Sequence, residues 1–316
     1  MVSPIARALF GRLFDNAAMY PPAQAPMEAS IALHDAAERA PWGFARGRFL
    51  CPGARLEDLA HELRILGRDR TALRVGAVIG SPADVNERPQ LEAVVKAINH
   101  LRLSTPSVNV DLFEVRPPSP DPAELARSMG EAIDAAASSG ADTLFLEVGV
   151  VGSEPSLISD RVAAVAEAGA GAGLRIGVKV RCGGLQPAMV PSRDELAAFL
   201  VAARTAGLPF KATAGLHHAF ADHEGTRHGF VSLLLASVLS NANDLDQATT
   251  AKLLATSTPE NLELTDDEIV LTLDGARLRA DVDAVTNARY RGFVAFGTCS
   301  FTEPAFDAAR LLEDTA

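Results

Sequence analysis

The feature that most constrains the fold is an alternation. Short runs rich in β-branched and aromatic residues recur along the chain, each trailed by a longer run of Ala, Leu and Glu at helical spacing. RGRFLCP precedes LEDLAHELRILG, ALRVGAVIG precedes RPQLEAVVKAINHL, and SVNVDLFEVRP precedes DPAELARSMGEAIDAAASSGA. DTLFLEVGVV, LRIGVKVRCGG and PFKATAGLHH each lead a further helical run, and RGFVAFGTCSF leads EPAFDAARLLED. Strand followed by helix, repeated, implies a parallel sheet with right-handed crossovers. An open doubly wound sheet and a closed barrel both meet that requirement. The 316 residues and the number of units favour an α/β fold of the (β/α)8 TIM-like barrel type. No low-complexity linker or internal repeat divides the chain, so residues 1–316 read as a single barrel domain. The irregular place is 241–292, where helical DLDQATTAKLLATS is followed by ELTDDEIVLTLDGARLRA. Asp274-Gly275 between two alternating apolar runs marks a hairpin, so this region is expected to be an insertion or an irregular seventh unit.

Several strands end in polar or Gly-rich stretches: LFEVRPP, FLEVGVVGSE, VKVRCGG, KATAGLHH and FGTCSF. In a parallel barrel all these ends meet at one rim, which is where chemistry is placed. Within IGVKVRCGG, Gly177, Lys179 and Arg181 share one strand face, and within PFKATAG, Lys211 shares a face with Thr213. Interior lysines are costly unless paired or used. Partial desolvation and a neighbouring ammonium both lower a lysine pKa, so Lys179 is expected to be available as a neutral amine. That is the species that forms a Schiff base with a carbonyl. Glu147, on an inward strand face beside the lysines, is the acid/base candidate, with Glu114 a weaker version of the same idea. Either carboxylate could equally serve as the ion-pair partner that lets a buried lysine exist. Asp15 and Asn16, in LFDNAAMYPPAQAP, read as residues that cap or cover a barrel end.

With these residues in view, VKVRCGG, FKATAGLHH and ARYRGFVAFGTCSF, together with FLEVG, resemble the deoxyribose-phosphate aldolase type of class I aldolase. The likeness covers roughly the C-terminal half. It implies a lyase of small-molecule metabolism in which Lys179 is the Schiff-base nucleophile, Lys211 its pKa-lowering neighbour, and Gly297, Thr298 and Ser300 the phosphate-binding turn. The chain departs from the family pattern at Val180, Arg181 and Cys182, where small hydroxyl residues would follow the nucleophile. It departs again at Ala214, Gly215 and Leu216, where a Gly-Gly turn would stand. Arg181, Gly183, Gly184, Thr213, Gly215, His217 and His218 complete the expected substrate-binding set.

His217, His218, His223 and His228 crowd one strand-to-helix loop near Asp222 and Glu224. A metal-dependent hydrolase or isomerase using the 217–228 loop is therefore a second reading. The spacing matches no standard metal motif, and adjacent histidines on a strand point in opposite directions, so no metal and no cofactor is expected. A third reading is a non-catalytic barrel that binds a small anion through Lys179, Arg181 and Lys211. Cys51, Cys182 and Cys299 lack C-x-x-C spacing and read as reduced thiols of a cytoplasmic protein. A formal net charge of −11 argues against nucleic acid or an anionic membrane as partner. The start of the sequence has no long apolar run of the kind a secretory signal needs. The expected partner is a small-molecule substrate, and self-association into a homo-oligomer is left open.

Overall fold

The computed structural model describes residues 2–67, 72–80, 91–184, 186–222, 224 and 226–314. Helix α1 (Pro4–Phe10) leads into strand β1 (Phe14–Asn16), and α2 (Met27–Arg39) into β2 (Arg46–Pro52). Then come α3 (Leu56–Ile65), β3 (Leu73–Ile79), α4 (Leu91–Ser104), β4 (Val108–Val115), α5 (Pro122–Ser139) and β5 (Thr143–Glu147). These are followed by α6 (Pro155–Ala168), β6 (Arg175–Arg181), α7 (Arg193–Thr205) and β7 (Phe210–Thr213). The connection after β7 holds α8 (Phe230–Asn243), α9 (Gln247–Thr256), β8 (Leu262–Leu264), β9 (Glu268–Leu273), β10 (Ala276–Asp281) and α10 (Val282–Arg291). Strand β11 (Phe293–Thr298) and α11 (Thr302–Asp314) follow.

Eight of the strands close into a parallel barrel in the order β1-β11-β7-β6-β5-β4-β3-β2. The fold is the (β/α)8 barrel that the strand–helix alternation predicts. The strand that escapes a sequence reading is β1, whose three residues are too few to show a period. Packing makes it a strand. Phe14 is fully buried and meets the rings of Phe296 and Phe230 edge-on at 5.4 and 5.6 Å, tying β1 to β11 and α8. Because Phe14 points outward to the helices, Asp15 points inward. The residue read as a cap or cover is therefore part of the barrel interior, with 0% of its surface exposed.

The helices start where their caps stand. Asp121 accepts from the Ala123 amide at 3.0 Å ahead of Pro122, and Ser192 forms a reciprocal box with Glu195 at the head of α7. The irregular stretch 241–292 adds no barrel strand. It supplies α9 and α10 and a separate antiparallel sheet in the order β10-β9-β8. Its hairpin turns at Asp274 and Gly275, both with positive φ (50° and 82°), the conformation that suits a two-residue loop between twisted strands.

Inside the barrel, Ala17, Leu50, Val78, Leu112 and Phe145 form an apolar plug. Gly177 makes room for it, because a Cβ there would fall 2.2 Å from the Phe145 ring.

Candidate active site

Arg116 follows β4, while Glu147, Arg181, Thr213 and Thr298 are the last residues of β5, β6, β7 and β11. All five line one cavity of about 560 Å³ at the C-terminal rim. A chain of alternating charges runs from behind the cavity onto its wall. Asp15 of β1 pairs with Lys211 of β7. Lys211 Nζ lies 2.6 Å from Glu114 Oε1, and Glu114 Oε2 lies 2.9 Å from Lys179 Nζ. Lys179 Nζ is 3.4 Å from Glu147 Oε2, and Glu147 Oε1 is 3.5 and 3.6 Å from the Nε atoms of Arg116 and Arg181. Each buried ion thus has an opposite charge on both sides, or a backbone donor where the row ends. The Arg48 amide donates to Asp15 Oδ1, and Gly47 leaves space for that carboxylate, since a Cβ there would fall 2.0 Å from the same oxygen.

The two lysines are not equivalent. Lys179 lines the cavity, whereas Lys211, 1% exposed, is sealed behind it between Asp15 and Glu114. The expectation of a depressed lysine pKa is corrected here. Burial does push Lys179 down, but the ion pairs with Glu114 and Glu147 outweigh burial and the opposing Arg181, and its pKa is raised. Burial pushes Glu114 up, but Lys179 and Lys211 outweigh it and bring its carboxyl down to about 2. Burial likewise opposes Glu147, and Lys179, Arg181 and Arg116 lower it on balance.

A pH dependence of stability follows. A depressed carboxylate stabilises the fold fully above its unfolded pKa and loses that contribution as pH falls toward the folded value. Urea unfolding is expected to show constant stability through neutrality and a decline from about pH 4.5 toward about 2 that flattens in Glu114→Gln. On the alkaline side the sign reverses. The contribution of Lys179 is present below 10.5 and is lost as pH rises through its raised value.

Gly183, Gly184, Gly215, His217 and Gly297 also line the cavity, while His218 and Ser300 lie outside that lining. Gly183 and Gly215 bring two loops together backbone to backbone, for a Cβ on Gly183 would sit 2.7 Å from the Gly215 Cα. Ala214 precedes with φ +60°, a left-handed conformation uncommon outside glycine. Thr298 Oγ1 is engaged locally, donating to the Ser300 carbonyl at 2.6 Å and lying 3.3 Å from the Ser300 amide that donates to it.

The histidines diverge. His217 Nδ1 faces Glu303 at 3.5 Å, His218 Nδ1 faces Asp307 at 4.0 Å, and buried His228 contacts the Pro191 carbonyl at 2.8 Å. His223 lies outside the described residues. Among the described residues no group of three His, Cys, Asp or Glu side chains is arranged to hold a metal ion. Cys182 and Cys299 line the cavity as thiols, and burial pushes Cys182 up to about 12. Sequence reasoning missed Asp15 and Arg116 as site residues and underrated Glu114. The available signal was a buried lysine's need for a carboxylate, which Glu147 alone cannot meet for two lysines.

No family model matches the chain, and no curated protein matches it. Solved structures do. The deoxyribose phosphate aldolase from Aeropyrum pernix, described as a tetramer, superposes with a TM-score of 0.53 at 15% identity over 98% of both chains. The barrel is similar to that of deoxyribose-phosphate aldolase. A second structure, from Toxoplasma gondii ME49 and provisionally described as a deoxyribose-phosphate aldolase, gives a TM-score of 0.50 at 13% identity. It covers 98% of this chain and 95% of the other. At these identities the likeness to deoxyribose-phosphate aldolase establishes the barrel, and residue roles rest on the geometry. No helix among the described residues is long and apolar enough to cross a membrane.

Proposed function

We propose that the chain is an aldolase-type lyase acting on a small carbonyl compound through an imine at Lys179. The observation that carries this reading is the asymmetry of the lysines: one amine faces the cavity between two carboxylates, while the other is walled in behind it. Attack requires the free amine, so Lys179 first passes a proton to Glu114 or Glu147, the carboxylates in contact with it. The nitrogen adds to the carbonyl carbon, and the carbonyl oxygen is protonated and leaves as water. One ammonium and one carbonyl give one iminium and one water. The nitrogen carries one positive charge before and after, so the carboxylates that hold the ammonium hold the iminium equally well. The iminium then serves as an electron sink for cleavage of the neighbouring carbon–carbon bond or removal of a neighbouring proton. Glu147 lies beside the nitrogen and on the cavity wall, where a general base is needed. Lys211 is a positioning residue, holding Glu114 ionised and fixed.

The test is reductive trapping. Cyanoborohydride with a panel of short aldehydes, ketones and their phosphates is expected to leave a mass adduct on Lys179 and none on Lys211. A panel that labels neither lysine, while a small anion still binds, would replace this reading with a non-catalytic anion-binding barrel. Labelling of Lys211 would reverse the assigned roles.

A further inference from the structure

The cavity wall carries Arg116, Arg181 and Lys179 beside Glu114 and Glu147, and also Arg227, whose Nε lies 3.6 Å from Asp222. Within a chain of formal net charge −11, this gathering of cationic side chains on one cavity wall favours an anionic ligand. Two of the arginines converge. Arg116 at the end of β4 and Arg181 at the end of β6 stand on either side of β5, and both reach the same oxygen of Glu147 at 3.5 and 3.6 Å. The other Glu147 oxygen is 3.4 Å from Lys179 Nζ. Two guanidinium groups and the reacting amine therefore surround a single carboxylate. Arg181 Nε is shut off from solvent without a hydrogen bond, its approach to Glu147 being too long for one.

Resting on the imine reading, we propose that the substrate is a 2-oxo acid whose carboxylate is held by Arg116 and Arg181. A guanidinium offers a planar fork of donors matched to a carboxylate, which an ammonium does not. The buried Arg181 Nε has no hydrogen-bond acceptor in the resting site, and a substrate carboxylate supplies one. Distance selects the class. The arginines gather around the same side chain as the amine, so the anion they hold lies next to the reacting carbon, as it does when a carboxylate is bonded directly to a carbonyl. A phosphate ester separates its charge from the carbonyl by at least one carbon and one oxygen. Of the turn a phosphate would use, the Thr298 hydroxyl is bonded within the turn and Ser300 lies outside the cavity lining. With the carboxylate anchored, Glu147 is placed to take a proton from the carbon on the other side of the iminium.

The experiment compares cyanoborohydride trapping of Lys179 by pyruvate, by its neutral ester methyl pyruvate and by glycolaldehyde phosphate, each normalised to its reaction with N-α-acetyllysine. In the wild type pyruvate is expected to label fastest. Arg116→Gln or Arg181→Gln should each slow pyruvate labelling roughly 10- to 100-fold while leaving methyl pyruvate within about 3-fold. Arg116→Lys and Arg181→Lys keep the charge and lose the fork, so they should show the same direction of loss in a protein whose fold is intact by circular dichroism. Equal labelling by pyruvate and its ester, or a preference that survives both substitutions, overturns the carboxylate anchor and leaves the imine standing. So does fastest labelling by glycolaldehyde phosphate with no dependence on the arginines. If no carbonyl labels Lys179, the imine fails, and calorimetry decides the anchor separately. Oxalate binding that weakens in both glutamine variants, with weaker binding of inorganic phosphate, supports it, and oxalate binding that is absent or unchanged overturns it.

Discussion

Lys179→Met is expected to leave a folded protein whose carbon–carbon turnover is lower by roughly four or more orders of magnitude, as when a nucleophile is deleted elsewhere. The fold should survive because the neighbouring carboxylates each keep a cation. Glu114 retains Lys211 at 2.6 Å, and Glu147 retains Arg116 and Arg181 at 3.5 and 3.6 Å. Lys179→Arg should be as inactive, since a guanidinium preserves the charge and is not a nucleophile at any accessible pH. Turnover of the substrate, read beside a urea unfolding curve, separates lost chemistry from lost structure. Activity of Lys179→Met within about 100-fold of wild type would end the imine reading, because residual catalysis from binding and electrostatics alone falls well short of that.

The opposite pattern is expected at the second lysine. Lys211→Met should lower stability by about 3–5 kcal/mol, the cost of leaving a buried charge without its partner. Among the described residues Lys211 is the only ion-pair partner of Asp15, which is 0% exposed. The double variant Lys211→Met/Asp15→Asn should recover much of that loss, because it removes the orphaned charge together with its partner. The pH profile of trapping at Lys179 supplies a readout that a purely structural role would not move. With Lys211 gone, Glu114 turns its full charge on Lys179 and the labelling profile shifts to higher pH. Urea titrations of the two single variants and the double variant measure the coupling. An additive double variant would show that the two side chains do not act as a pair.

The barrel was legible from the strand–helix alternation because that pattern is written over many residues. The site was legible in its strand-borne charges, Lys179, Arg181, Lys211, Glu147 and, less plainly, Glu114. Lys179, Arg181 and Lys211 stand out because charges on apolar strands are anomalous on their own strand. Asp15, the partner of Lys211, and Arg116, a further cation on Glu147, do not stand out, because both look like ordinary loop residues until closure sets β1 beside β11 and Arg116 beside Glu147. The direction of the Lys179 shift turned on the same point. Local reasoning counted the neighbouring lysine, whereas the carboxylate that decides the matter is supplied by β4, two strands across the sheet. The divergence of His217 and His218 was readable from their adjacency, but their partners were not, since it is α11 that offers Glu303 and Asp307 to them.

Strand β1 also has a consequence for synthesis. Asp15 emerges from the ribosome long before Lys211, from which it is separated by 196 residues, and before β11, the neighbour that closes the barrel over it. For most of translation this strand has an open edge and an uncompensated acid on the side destined for the interior. Pairings of such long sequence separation form late, because loop closure must precede any reward. The nascent chain is therefore expected to pass through an unclosed sheet, exposed to mispairing, until β11 is free to dock. The row of ion pairs and the barrel are completed in the same late step, so a chain that has not finished folding cannot hold Lys179 in place.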